Sequence, residues 1–234
     1  MNLLDNHDEI LESDVKVRQP IFDHLGGPQR KGVGYSRGRE APQERNHQGA
    51  DSKHGGWRAE LEAILLAAKA MTNADGATLY RTTEDGRALR FEIVRTDSLH
   101  LAMGGVSGAV VDLPNVPLVT ESGIPNDSMV AAYALIHDKT VNVADAYNAA
   151  GFDFSGTRRF DERTGYHSQS FLTVPIKSPG GEAVGVLQLI NAQDPLTKSV
   201  RPFSASDQRL AELLASQAAV VLNNRSPPLG AARK

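Results

Sequence analysis

The chain has 234 residues, with 25 Lys and Arg against 28 Asp and Glu, a formal net charge of −3. That balance argues against nucleic acid as the main partner, because phosphate binding needs a clustered positive surface. The absence of cysteine removes disulfides, thiolate metal sites and cysteine nucleophiles, and fits a reducing, cytoplasmic setting. No run approaches 18 apolar residues, so no membrane span is expected. The acidic start "MNLLDNHDEILESDVK" lacks the basic and apolar regions of a secretory signal.

Residues 1–56 differ from the rest. After "LLDNHDEILES" the chain runs through "LGGPQRKGVGYSRGREAPQERNHQGADSKHGG", which is polar and nearly free of large apolar side chains. Such a segment cannot bury enough surface to offset its ordering entropy, so 1–56 reads as a flexible tail. Order is expected from Trp57. "WRAELEAILLAAKAMTNA" places Trp57, Leu61, Ile64, Leu65 and Ala68 at helical spacing among strong helix formers. "ATLYRTTEDGRALRFEIVR" reads as two strands with Asp85-Gly86 in the turn.

A stretch rich in Gly and Pro follows, mostly loop with short extended pieces. "SMVAAYALIHD" has helical composition, and "KTVNVADAY" gives a short strand. A second hairpin spans Ser170–Lys177 and Val184–Asn191 across "SPGGEA". Ser204 with Asp207 forms a capping box in which Asp replaces the usual Glu. It opens a last helix with a stripe of Leu210, Leu213, Leu214, Ala218, Val221 and Leu222. Residues 225–234 read as a short disordered tail. Tight turns between adjacent strands imply an antiparallel sheet, and helices at both ends imply an α+β domain over 57–224.

Enzyme motifs do not stand out. HExxH, GxSxG and GxxxxGKS are absent, and the histidines outside the tail, His100, His137 and His167, are not paired at metal-ligand spacing. No metal site is expected. "GGVSG" at Gly104–Gly108 opens no helix and makes a poor phosphate loop. The loop "FDFSGTRRFDERTGYHSQS" carries Phe152, Phe154 and Phe160, too many aromatics for a freely solvated segment, so they are expected to pin it down as a lid. Asp161, Thr164 and Ser168 follow at intervals of three and four residues, one face of a helical turn. They would offer acceptors and donors to a small polar molecule. The competing reading makes Asp161 a cap paired with Arg158 or Arg159. Gln188 shares a strand face with Val184, Val186 and Ile190 and needs partners, since burying an unpaired amide costs about 1–3 kcal/mol. A ligand, the lid, or water at a strand end would supply them.

Taken together, "VNVADAY", "GFDFSGTRRFDERTGYHSQSFLTVPI", "GEAVGVLQLINAQD" and "FSASDQRLAELLASQAAVVLNN" resemble a GAF domain. They look most like those of bacterial HD-GYP phosphodiesterases and adenylate or guanylate cyclases, and "RFEIVRTDSLHLAMGGVSG" fits the same subgroup. The resemblance covers about 57–224. It implies a central antiparallel sheet of about six strands with helices on both faces. It also implies a parallel homodimer through the first and last helices, here Leu61, Ile64 and Leu65 with Leu210, Leu213, Leu214, Ala218 and Val221. A small-molecule pocket is implied on the opposite face. Asp161, Thr164 and Ser168 match the family's Asp-x-x-Thr-Gly-aromatic motif and its next hydroxyl, and Val130 and Ala131 match its small apolar wall.

The base-reading residues of mammalian phosphodiesterases do not carry over onto "DSLHLAMGGVSG". Methionine sulfoxide reductase and bilin-binding relatives use cysteines that this chain lacks, so neither activity is expected, and enzymatic function is not. No HD, HD-GYP or cyclase block occurs in the stretch after Asn224. The expectation is a sensory regulatory domain, most plausibly for a cyclic nucleotide, signalling through a dimer or a separate output protein. The alternative is a ligand-free dimerisation or protein-interaction module with its pocket filled by Phe152 or Phe160. A hydrolase using Asp161 as base has thin support.

Overall fold

The computed structural model describes residues 56–225. The segments expected as tails, apart from Gly56 and Arg225, lie outside the described residues. The first helix, α1 (Gly56–Met71), leads into β1 (Ala74–Thr82), β2 (Ala88–Thr96), β3 (Leu101–Gly104) and the two-residue β4 (Val116–Pro117). Next come α2 (Val130–Ile136), β5 (Val141–Val143), α3 (Ser155–Thr164), β6 (Phe171–Lys177) and β7 (Ala183–Gln193). The short β8 (Val200–Arg201) and α4 (Ala205–Arg225) complete the domain. One antiparallel sheet runs β3-β2-β1-β7-β6-β5, with β4 added to β2 and β8 to β7. This is the α+β arrangement of six main strands that the sequence implies.

Local chemistry accounts for the turns. Gly86 takes φ +67° between β1 and β2, and Thr83 Oγ1 donates to Asp85 Oδ1 at 2.6 Å. Asn73 ends α1 at φ +52°, a left-handed position its short polar side chain tolerates, and its Nδ2 donates to the Gln193 carbonyl at 2.7 Å.

The main core lies between the sheet and the paired helices α1 and α4. Leu61, Leu65 and Ala68 face Ala211, Ala215, Ala218 and Leu222 over Leu79, Ile93, Leu172, Leu187 and Leu189. Small residues on α4 let the two helices settle onto the strands. Three residues expected on a dimer face are therefore corrected: Leu61, Leu65 and Ala218 are fully buried in the chain's own core. Periodicity marks an apolar stripe without saying which neighbour covers it. Ile64, Leu214 and Val221 are half-buried against the same core, Leu210 is also half-buried, and Leu213 is exposed. The exposed large apolar side chains of these helices, among the described residues, are Leu66, Met71, Leu213 and Val220.

A buried ion pair ties α1 to the sheet edge. Arg95 Nη2 of β2 meets Glu62 Oε1 of α1 at 2.5 Å, and both side chains are under a tenth exposed. Glu62 also accepts from the Val106 amide at 2.7 Å and from the Ser107 hydroxyl. Burial by itself raises the Glu62 pKa. The hydrogen bonds from Ser107, Arg95 and Val106 and the Arg95 charge outweigh it and bring the value down to about 2.

Candidate functional site

The other face of the sheet carries α2 and α3. Tyr80, Leu89 and Val186 pack under Ala131, Ala132 and Leu135 of α2. Beside them Phe154, Phe171, Val130, Val143 and Ala146 form a third cluster at the root of α3. Val130 and Ala131 are buried, one in each cluster. A polar row interrupts this face. Thr78, Gln188 and Thr173 stand side by side on β1, β7 and β6, and all three are buried. Gln188 Oε1 accepts from Tyr80 Oη at 3.1 Å, and its Nε2 donates to Thr173 Oγ1 at 3.0 Å. Its partners come from neighbouring strands. Complete burial pushes the Tyr80 phenol up, so it remains a donor.

The aromatic pins act as the composition requires, to different degrees. Phe154 is buried with its ring 5.3 Å from Phe171. Phe152 is half-buried edge-on to Tyr133 at 5.3 Å, and Phe160 meets Tyr166 at 6.5 Å. After Phe154, ten residues form α3, with Phe160 inside it, and the helix ends on Gly165 at φ +72°. Glycine accepts that left-handed C-terminal position without strain.

Asp161 is the centre of the segment, with 4% of its surface exposed. Its Oδ2 accepts from Tyr147 Oη and from the Ser168 amide, both at 2.7 Å, and its Oδ1 accepts from Ser168 Oγ at 2.8 Å. The partners are hydroxyls and an amide, in place of Arg158 or Arg159. Arg158 instead sits over the Tyr147 ring, 5.6 Å from its centroid. Thr164 donates to the Phe160 carbonyl at 2.8 Å and receives the Tyr166 amide at 3.3 Å. Asp161 and Ser168 are thus brought into direct contact, Thr164 serves the helix end beside them, and Gln188 sits in the sheet.

Three anchoring residues escape sequence reasoning. Asn191 Oδ1 accepts from the Gln169 and Ser170 amides at 2.7 and 3.2 Å, and Nδ2 donates to the His167 carbonyl at 2.8 Å. Asp75 Oδ2 accepts from Tyr166 Oη at 2.7 Å and from Ser98 Oγ at 2.7 Å. Burial and that carboxylate raise the Tyr166 pKa. Tyr147 is the third. The one available signal was Asn191, an amide interrupting the apolar run of β7. Among the described residues no group of three or more His, Asp or Glu side chains is arranged to hold a metal ion. No described helix is long and apolar enough to cross a membrane.

The model of the GAF domain matches residues 57–222. The chain belongs to the GAF family. GAF domains are small-molecule-sensing regulatory modules, and this one keeps their sheet and paired terminal helices. It is 29% identical over 104 residues to a dual 3',5'-cyclic-AMP and -GMP phosphodiesterase 11A from Takifugu rubripes, a match covering 44% of this chain and 11% of that protein. Among solved structures it resembles the GAF domain of an Acinetobacter phosphoenolpyruvate-protein phosphotransferase. There the TM-score is 0.50 at 15% identity, covering 72% of this chain and 82% of that one. A type II free methionine-R-sulfoxide reductase from Thermoplasma acidophilum superposes with a TM-score of 0.48 at 16% identity, over 72% and 93% of the two chains. At these identities the likeness to the solved structures shows the fold alone.

Proposed function

We propose that this GAF domain is a regulatory sensor that takes a cyclic nucleotide beneath the 145–170 segment and passes its state to a homodimer partner or a separate output protein. The observation that carries the reading is a pair of buried polar groups, one within the sheet and one in the segment that packs on it through Phe154. Thr78, Gln188 and Thr173 lie in the sheet, and Asp161 with Ser168 lies in a cover pinned by Phe154 on Phe171. The donors to Asp161 are neutral hydroxyls and one amide, and a ligand hydroxyl can take the place of either side-chain donor. The similarity to the dual cyclic-nucleotide phosphodiesterase over 104 residues supports the ligand class. A ligand signals only through different affinities for two arrangements of the cover.

Thermal unfolding tests the reading. A ligand at about one hundred times its Kd adds about 2.7 kcal/mol, a Tm rise of roughly 5–10 °C for a domain of this size. Cyclic AMP, cyclic GMP and cyclic dinucleotides are the probes. No rise with any of them removes the cyclic-nucleotide assignment, and a rise retained in Asp161→Ala moves the pocket elsewhere.

A second reading, a ligand-free interaction module, is favoured by a specific observation: Asp161, Thr164, Ser168 and Gln188 all find partners within the chain. On that reading the working surface is the outer side of α1 and α4, where Leu66, Met71, Leu213 and Val220 are exposed. Sedimentation of the wild type and Leu213→Glu checks it. A wild-type dimer that the substitution splits supports the surface, and a wild-type monomer at micromolar concentration removes it.

A further inference from the structure

A buried carboxylate other than Asp161 also receives a side chain from the cover. Asp75 stands near the start of β1 with 6% of its surface exposed. Its Oδ2 accepts from Tyr166 Oη and from Ser98 Oγ, both at 2.7 Å. Its Oδ1 accepts from the Ser98 amide at 3.2 Å and from Gln193 Nε2 at 3.4 Å. One carboxylate thus joins the cover to the turn after β2 and to the end of β7. Beside it, Asn191 of β7 holds the Gln169 and Ser170 amides and the His167 carbonyl. Residues 166–170 are therefore fastened to the sheet by side chains of β1 and β7.

The helix just before them is fastened differently. Of the ten residues of α3, Asp161 alone is buried. Phe160 is half-buried edge-on to Tyr166, and the exposed Arg158 reaches the Tyr147 carbonyl at 3.4 Å. A helix this short has little stability without a packed apolar face. Segments with few buried apolar contacts open at a lower free energy than the rest of a domain. Both ends of α3 are bounded. Upstream, the Asp153 amide donates to the Ser128 carbonyl at 2.7 Å, and Phe154 is buried against Phe171. Downstream, Gly165 at φ +72° has open space where a Cβ would stand, and the next residue is Tyr166. A glycine at that point absorbs a change of backbone direction at no steric cost.

We propose that Tyr166 and Asp75 form a fixed clasp that confines opening of the cover to α3. Residues 155–165 swing about Gly165 when Asp161 is released, while 166–170 stay on the sheet. Opening in this way bares the Ser168 amide and hydroxyl and the Tyr147 hydroxyl, which hold Asp161 when α3 is closed. Tyr166 is a positioning residue in this arrangement. What enters on opening rests on the sensor reading above; the opening itself belongs to the chain without ligand.

The test is amide hydrogen exchange on the full chain, read by NMR in water and at low urea, with no nucleotide present. Amides of 158–165 are expected to exchange at least about tenfold faster than those of β1 and β7, with little urea dependence, the mark of a local opening. The Ser170 amide, bonded to Asn191 Oδ1, and the Asn191 amide, bonded to the Ser170 carbonyl, are expected to stay slow in the wild type and in Asp161→Ala. Tyr166→Phe keeps the ring beside Phe160 and removes the bond to Asp75. It is expected to quicken the Ser170 and Asn191 amides by about tenfold, because opening then runs past residue 166. Asp75→Asn, which keeps an acceptor, is expected to give a smaller change in the same direction. Amides of 158–165 that share the rate and urea dependence of β1 overturn the separate opening, and that measurement needs no variant. Ser170 and Asn191 amides unchanged in Tyr166→Phe overturn the clasp, as does equal quickening of both in Asp161→Ala. Each result is independent of the thermal shift with cyclic nucleotides, so failure here leaves that reading standing and failure there leaves the clasp standing.

Discussion

Two buried carboxylates hold the two faces of this domain, and they are held differently. Glu62, on the α1/α4 side, faces the fixed charge of Arg95 together with Ser107 and the Val106 amide. Asp161, on the α2/α3 side, faces only neutral donors from Tyr147 and Ser168. Breaking a buried ion pair leaves an uncompensated charge and costs more than losing a neutral hydrogen bond. The helix side is therefore braced by charge, and the segment around Asp161 is held by neutral hydrogen bonds. On the proposed reading those are the contacts that a ligand hydroxyl would exchange.

The largest expected effect comes from the brace. Glu62→Gln strands the Arg95 guanidinium and is expected to cost about 3–5 kcal/mol, a fall in Tm on the order of 10 °C. Acid titration reads the same pair. The folded Glu62 pKa is about 2 against an ordinary 4.5, so its contribution is complete above pH 4.5 and is lost as pH falls through 2. The difference corresponds to about 3 kcal/mol. Urea midpoints measured from pH 7 down to pH 2 should show this decline in the wild type, with that component missing in Glu62→Gln. A variant as stable as the wild type would end the contrast between the two carboxylates.

The cover should respond less and more locally. Asp161→Ala removes the acceptor of three hydrogen bonds and is expected to cost about 1–3 kcal/mol. Hydrogen exchange should quicken at the Ser168 amide and its neighbours between 145 and 170 while β1, β2 and α1 keep their protection. A loss of protection spread over the whole domain would make Asp161 a brace like Glu62 and remove its role as an exchangeable latch.

What was legible in the sequence follows from distance along the chain. Helix spacing and both hairpins are local patterns, and each matches the structure; the stretch expected as a loop at 152–160 instead turns helical from Ser155. Of Asp161, Thr164 and Ser168, read as one face, Asp161 and Ser168 are in direct contact, while Thr164 bonds the Phe160 carbonyl. The partners brought by the fold were not legible. Tyr147 reaches Asp161 from fourteen residues away, Tyr166 reaches Asp75 across ninety-one, and Gln188 meets Tyr80 across 108. Nothing in the local pattern of either partner marks such a contact. The stripe on α4 shows the same limit from the other side. Its period was right, but only the packed sheet reveals that Ala218 faces inward while Leu213 does not.

The start of α4 gives the smallest and most local test on the braced side. Asp207 Oδ2 accepts from the Ser204 amide and from Ser204 Oγ, each at 2.8 Å, while the Asp207 amide donates to Ser204 Oγ at 3.2 Å. This is the reciprocal box expected from the sequence, with Asp reaching back where Glu is usual. Arg201 adds a third contact to the same Asp207 oxygen at 2.8 Å. Burial opposes ionisation of Asp207, but Arg201 and Ser204 hold its pKa below the ordinary carboxylate value. Ser204→Ala should cost about 1 kcal/mol, a Tm fall of roughly 2–4 °C. Asp207→Ala should cost more, because it also frees Arg201. Equal losses in the two variants would show that the arginine contact adds nothing. A Ser204→Ala loss as large as that of Glu62→Gln would mean that the helix start, and not the buried pair, braces this face.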